Sequence, residues 1–272
     1  MLQSSRFPVS RLHASRFRLF LAFGLLTSIV LLTPKHIHAQ EAKVGRTPVL
    51  VELFTSEGCS SCPPADALLA KLYLSQPVDT AEIIVLEEHV DYWDNLGWHD
   101  RFSSHQFTDR QNDYGSRLHF DSAYTPQMIV DGTDQFVGND GPHALRAIQH
   151  AAQTSKLQLT LSRPVVDGHR ISATISTTAT SGQPKADLYA VLVDPTDTTD
   201  VRRGENGGRR LQHVSVVRVM QRIGSLKDLS SPHEFSLNAP ADAVPASMHV
   251  VVFAQRGGEG AILGAASTAV AP

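Results

Sequence analysis

Cysteine is scarce in this chain: Cys59 and Cys62 are the only two among 272 residues. That excludes a multi-bridge disulfide framework, and it leaves no second paired motif from which a cysteine-rich metal cluster is built. Charge of one sign is scarce as well. With 24 Lys+Arg against 27 Asp+Glu the formal net charge is −3, so there is no basic surface for nucleic acid and no polybasic membrane face. Long apolar runs are missing after the first forty residues, and no later segment is expected to span a membrane.

The first forty residues are a separate matter. Arg6, Arg11, Arg16 and Arg18 precede an uncharged apolar stretch, Leu19 to Leu32, and a polar segment ending in His38-Ala39-Gln40. This predicts an export signal over residues 1–39, cut after Ala39, and a periplasmic or secreted protein. A retained anchor is the alternative, but the stretch is short for a spanning helix of about 20 apolar residues.

What is present is organised around Thr47 to Leu74. Val49, Leu50, Val51, Leu53 and Phe54 form a short run of β-formers, long enough for a central strand. Thr55, Ser56, Glu57 and Gly58 break it. Ala65, Leu68, Leu69, Leu72 and Tyr73 then return at helical spacing, predicting a helix that starts near Cys59. Pro63 and Pro64 fit its first turn, where backbone N–H groups lack intrahelical acceptors.

A thiol at a helix start faces unpaired N–H donors and the positive end of the dipole, which favour the thiolate. Cys59 is therefore the expected solvent-accessible nucleophile. Cys62, one turn on and better covered, is the expected resolving thiol. A purely structural bridge over so short a loop constrains the unfolded chain little.

Ala81 to Val90 reads as a second strand, ending in a polar and aromatic patch that holds His89, Asp91, Tyr92, Trp93, Asp94, Trp98, His99 and Asp100. Phe102 to Leu118 has the spacing of a surface helix. Tyr124-Thr125-Pro126-Gln127 leads into the strand Met128-Ile129-Val130, followed by a hairpin return at Gln135 to Val137 and a closing helix, Pro142 to Ala152.

This order resembles the thioredoxin fold. More narrowly, VELFTSEGCSSCPPAD, HVDYWDNLGW, YTPQMIVDG and GENGGR together resemble an exported bacterial family with a thioredoxin-like N-terminal half and no assigned function. The resemblance implies Cys59 as nucleophile, Cys62 as resolving thiol and Thr125-Pro126 as a cis-proline element. The chain departs from the thioredoxin pattern at Leu53, where a buried acid is expected. Glu52, Glu57 or a patch histidine is a candidate substitute proton acceptor, although strand alternation turns Glu52 the other way, and a surface-facing Glu52 is the preferred reading.

After the helix the pattern changes. Lys156 to Pro164, His169 to Thr180, Asp187 to Asp194, Leu211 to Met220, His233 to Leu237 and Met248 to Ala254 are strand-like, with Gly-, Pro- and Ser-rich turns between them. The expected fold is an α/β thioredoxin-like domain over residues 47–153 and an antiparallel β-sandwich over residues 156–272. The segment RRGENGGRR, Arg202 to Arg210, lacks the spacing of a phosphate loop and reads as a solvated hairpin loop.

The expected function is thiol–disulfide exchange without a cofactor, on a protein or small-molecule disulfide, coupled to an unidentified redox partner. Two alternatives come from other classes. One is copper or zinc held by Cys59, Cys62, His89 and His99. The other is a non-catalytic binding module.

Overall fold

Alternation along Thr47–Thr55 (β1) decides the architecture. Val49, Val51 and Leu53 face one apolar cluster, Leu50 and Phe54 face another, and the strand is buried on both sides. A strand with two apolar faces needs a layer on each. In the computed structural model, which describes residues 45–178 and 184–271, helices supply those layers beside β1. The expected signal, residues 1–39, lies outside the described residues, as does the end of the predicted strand 169–180.

The elements of the first half are β1, Pro63–Ser75 (α1), Ala81–His89 (β2), His105–Leu118 (α2), Gln127–Val130 (β3), Asp134–Val137 (β4) and Gly141–Ala151 (α3). The second half adds Leu159–Leu161 (β5), Val165–Asp167 (β6), Arg170–Thr177 (β7), Asp187–Asp200 (β8), Arg210–Ser225 (β9), His233–Asn238 (β10), His249–Gln255 (β11) and Ile262–Ala269 (β12). One eight-stranded sheet runs β12-β11-β8-β9-β2-β1-β3-β4; a smaller sheet runs β10-β7-β5, with β6 on β7. The fold is thus mixed α/β, with one large sheet and few helices.

Core packing follows the alternation. Ala65, Leu69 and Leu72 of α1 and Ala144, Ala147 and Ile148 of α3 cover Val49, Val51 and Leu53. Phe107 and Tyr114 of α2 cover Leu50 and Phe54, and that cluster continues through Val191, Val193, Val217, Val251 and Phe253 of the second half. A third cluster fills the space between the two sheets, with Ile171, Ile175, Phe235 and Leu237 against Leu188, Leu192, Val250 and Val252.

Two expectations are revised by this topology. Residues 47–153 and 156–272 share one sheet and one core, because β2 lies between β1 and β9 and Lys43–Pro272 forms one compact unit. Helix α2 is a surface helix as expected, exposed at His105, Asp109, Asn112, Asp113 and Arg117, but its inner face is partly polar: its buried residues are Phe107, Arg110, Gln111 and Tyr114, and Arg110 donates from Nε to Glu52 Oε1 at 2.7 Å. Glu52 is consequently buried, paired with Arg110 and with the Tyr114 hydroxyl at 2.5 Å, and does not face solvent. Among the described residues no helix is long and apolar enough to cross a membrane.

Candidate functional site

The turn between β1 and α1 carries the two sulfurs. Cys59 N–H donates to Ser56 O and Cys62 N–H to Cys59 O, winding the chain through two turns before the helix begins. Ala65 and Asp66 both donate to Cys62 O, which makes Cys62 the N-cap and Pro63 the first helical residue. The helix therefore starts four residues after Cys59. Cys59 and Cys62 are joined as a disulfide with a Cα–Cα separation of 5.4 Å.

The Thr125–Pro126 peptide is cis. A Cβ built on Gly138 would lie 2.8 Å from Leu53 Cδ1, 3.0 Å from Pro126 Cβ and 3.1 Å from Ala65 Cβ. Only a glycine lets the β4 end close on all three, and this contact holds the proline against the first turn of α1. Trp93 ties the same corner together. Its indole Nε1 donates to Thr125 Oγ1 at 2.9 Å, and its Cβ would be 3.0 Å from a Cβ on Gly58.

Both cysteines have zero exposure, so Cys59 is not the accessible thiol that its position in the sequence implies. The tip of the β8–β9 hairpin bonds to the backbone of this turn. Asn206 is itself fully buried and donates through its side-chain amide to Glu57 O and Cys59 O, each at 2.9 Å. Glu205 accepts from Ser60 N–H at 3.0 Å. Gly204, at φ 75°, packs where a Cβ would meet Trp98 Cβ at 3.0 Å. RRGENGGRR is a hairpin loop as expected, but its tip docks on the cysteine turn. Nothing local in that segment marks Asn206 for burial.

Behind the disulfide lies a buried ionisable group. The parallel register sets Thr55 opposite His89 and Leu53 opposite Glu87. His89 Nδ1 pairs with Asp100 Oδ2 at 2.7 Å; His213 Nδ1, from β9, pairs with Glu87 Oε1 at 2.6 Å. Ser215, at φ 51°, sits between His213 and the β2–β9 contact and donates its hydroxyl to Val85 O. The imidazoles of His89 and His213 meet edge to face at 4.9 Å. Glu57 accepts from Trp98 Nε1 through Oε2 at 2.7 Å, while its Oε1 lies 3.6 Å from His213 Nε2.

Burial disfavours ionisation of Glu87, but the charges and hydrogen bonds of His213 and His89 outweigh it and hold the carboxyl at about 2. Burial works against the His213 cation too. Glu87, with a further contribution from Glu57, still raises it to about 9. His89 is raised well above the ordinary imidazole value by Asp100 and Glu87 in spite of burial, and Asp100 is lowered in return.

Asp66 is the residue that sequence reasoning missed. It lies in the first turn of α1, buried, accepting from Thr55 Oγ1 at 2.7 Å. Burial first, and then the neighbouring Glu87 charge, push its carboxyl up to about 7. The signal was available: an acid four residues after Cys62 faces the same side of the helix as the N-cap. His99, by contrast, is 77% exposed and paired with Asp94, outside the buried group containing His89. The set Cys59, Cys62, His89 and His99 is not assembled, since the sulfurs are bonded to each other and His99 points to solvent. A cavity of about 580 Å³ lined by Arg46, Tyr73, Gln76 and His249 includes none of these side chains.

Residues 50–255 match the model of a family described as "Protein of unknown function (DUF1223)". The chain belongs to that family. A crystal structure of another protein, from Agrobacterium tumefaciens, is similar to this DUF1223 chain at a TM-score of 0.63 and 29% identity, over 83% of this chain and 96% of that one. A domain of the outer membrane lipoprotein Omp28 from Porphyromonas gingivalis aligns at a TM-score of 0.26 and 12% identity, over 43% of this chain and 90% of that one, too distant to bear on the fold. No curated protein matches the chain.

Proposed function

We propose that this protein is a thiol–disulfide oxidoreductase of an exported compartment, with a thioredoxin-like first half to which the second half adds a β-sandwich-like layer. The observation that carries the reading is the placement of a Cys-x-x-Cys disulfide at the N-cap of α1, with a cis proline packed on the same helical turn. The exported location rests on residues 1–39.

In the reduced protein the Cys59 thiolate attacks one sulfur of a substrate disulfide. A bond forms between Cys59 and that sulfur, and the distal substrate sulfur leaves as a thiolate. Cys62 then gives its proton to Asp66, attacks the Cys59 sulfur and releases the second substrate thiolate. The substrate gains two electrons and the pair returns to the bridge; run backwards, the same steps oxidise a dithiol. Backbone groups at Thr125 are placed to pair with an extended substrate. Asp66 takes the proton-accepting part that Leu53 is unable to play. Because Cys59 is fully buried, the turn and the hairpin tip docked on it must open before a substrate sulfur arrives.

A second reading has one observation in its favour. Zero exposure of Cys59 suits a non-catalytic module with a structural bridge. Reductase and oxidase assays on the wild type and on Cys59→Ser separate the two. Turnover that disappears in the variant supports the oxidoreductase, and an inert wild type with an irreducible bridge supports the module.

A further inference from the structure

Three buried polar atoms in one small region have no hydrogen-bond partner: Glu57 Oε1, His89 Nε2 and His213 Nε2. A polar atom buried without a partner is destabilising. They are not scattered. His213 Nε2 faces Glu57 Oε1 at 3.6 Å, and His89 Nε2 faces Glu87 Oε1 at 3.5 Å. One ligand atom each from Glu87, His89 and His213 can be chosen so that all three lie within 4.8 Å of one another.

We propose that Glu87, His89 and His213 bind one divalent cation of the zinc class, with Glu57 as the nearest candidate for a fourth ligand. The chemistry of the donors fits. Two imidazoles and a carboxylate form a common three-residue zinc set, and the site is closed by packing on every side. His89 has a carboxylate on its far nitrogen: Asp100 holds Nδ1, which fixes the tautomer that leaves Nε2 as a lone-pair donor. Charge is compatible with a cation: Glu57, Glu87 and Asp100 are three buried carboxylates facing two imidazoles, and a divalent ion offsets two of the three negative charges with both rings neutral.

The cysteines have no part in this site, which distinguishes it from coordination by thiolates. The three proposed ligands come from both halves of the chain, β2 and β9, so the ion also acts as a clip between them. The requirement is stringent, because 126 residues separate Glu87 from His213.

The test uses the full chain with its disulfide intact, unfolded in chelator, freed of metal and refolded with or without one equivalent of Zn²⁺. The expected result is one zinc per chain by elemental analysis, a raised melting temperature, and binding weakened at least tenfold in His213→Asn and in Glu87→Gln. His99→Ala is expected to bind as the wild type does. If either ligand variant fails to fold, Co²⁺ on the wild type decides: an absorption spectrum of nitrogen and oxygen ligation without thiolate charge transfer supports the site. Wild type that takes up no zinc, zinc retained in both variants, or a thiolate charge-transfer band overturns it.

Discussion

Asn206 and Cys59 lie 147 residues apart in the chain and are joined by a 2.9 Å hydrogen bond from the Asn206 amide to the Cys59 carbonyl. The same amide reaches Glu57 O, so one side chain at a hairpin tip satisfies two carbonyls of the cysteine turn.

Asn206→Ala is expected to take this donor from Glu57 O and to leave Cys59 O with Cys62 N–H alone, at a cost of about 1–3 kcal/mol in urea denaturation. It also weakens the docking of the tip on the turn. Reduction by dithiothreitol, followed by thiol alkylation, is expected to run at least tenfold faster than in the wild type. Equal rates would mean that the tip does not control access.

Asp66→Asn tests the proton acceptor through pH. An acid whose folded value stands at about 7 against 3.8 in the open chain binds its proton more tightly when folded. Its contribution to stability is fully present below pH 3.8 and is lost as pH rises through about 7. The variant is therefore expected to match the wild type near pH 4 and to exceed it by on the order of 2–4 kcal/mol at pH 8, measured by denaturation at both pH values. In turnover the order reverses: the variant is expected to be on the order of 10²-fold slower and to lose the rise in rate through pH 7. A rate unaffected at pH 8 would remove Asp66 from the mechanism.

Arg110→Met probes the other face of the sheet. Arg110 is held by Glu52, Tyr114 and Gln255 and lies 3.7 Å from Glu88, all of them buried. Removing the cation strands the Glu52 carboxylate, and a loss of about 3–5 kcal/mol is expected by chemical denaturation. Adding Glu52→Gln to the variant is expected to recover part of that loss, whereas simple additivity of the two substitutions would deny the pairing.

The first half was legible because its signals are local. Apolar alternation marks β1, the proline pair marks the start of α1 to within a few residues, and Thr125-Pro126 marks the turn into β3. What was not legible depends on distant partners. Glu52 reads as a surface acid until Arg110 is known to be buried beside it, and Arg110 reads as surface because its helix is polar on the face that pairs with Glu52. The tip residue Asn206 and the β9 residue His213 meet the cysteine turn and β2 across more than a hundred residues, beyond any periodicity. Strand β12 escaped for a different reason: Gly264, Ala265, Ala266 and Ala269 are small residues with little β-forming signal of their own.

The position of β2 inside the long sheet bears on how the protein is made. During synthesis the first half appears with the β2 flank bare, since its neighbour β9 is supplied only by residues 210–225. Until they arrive, that margin is an unpaired ladder open to wrong neighbours, and closing it requires a long-range encounter of the kind that slows folding. A nascent chain halted near residue 153 is thus the form most in need of a holding chaperone.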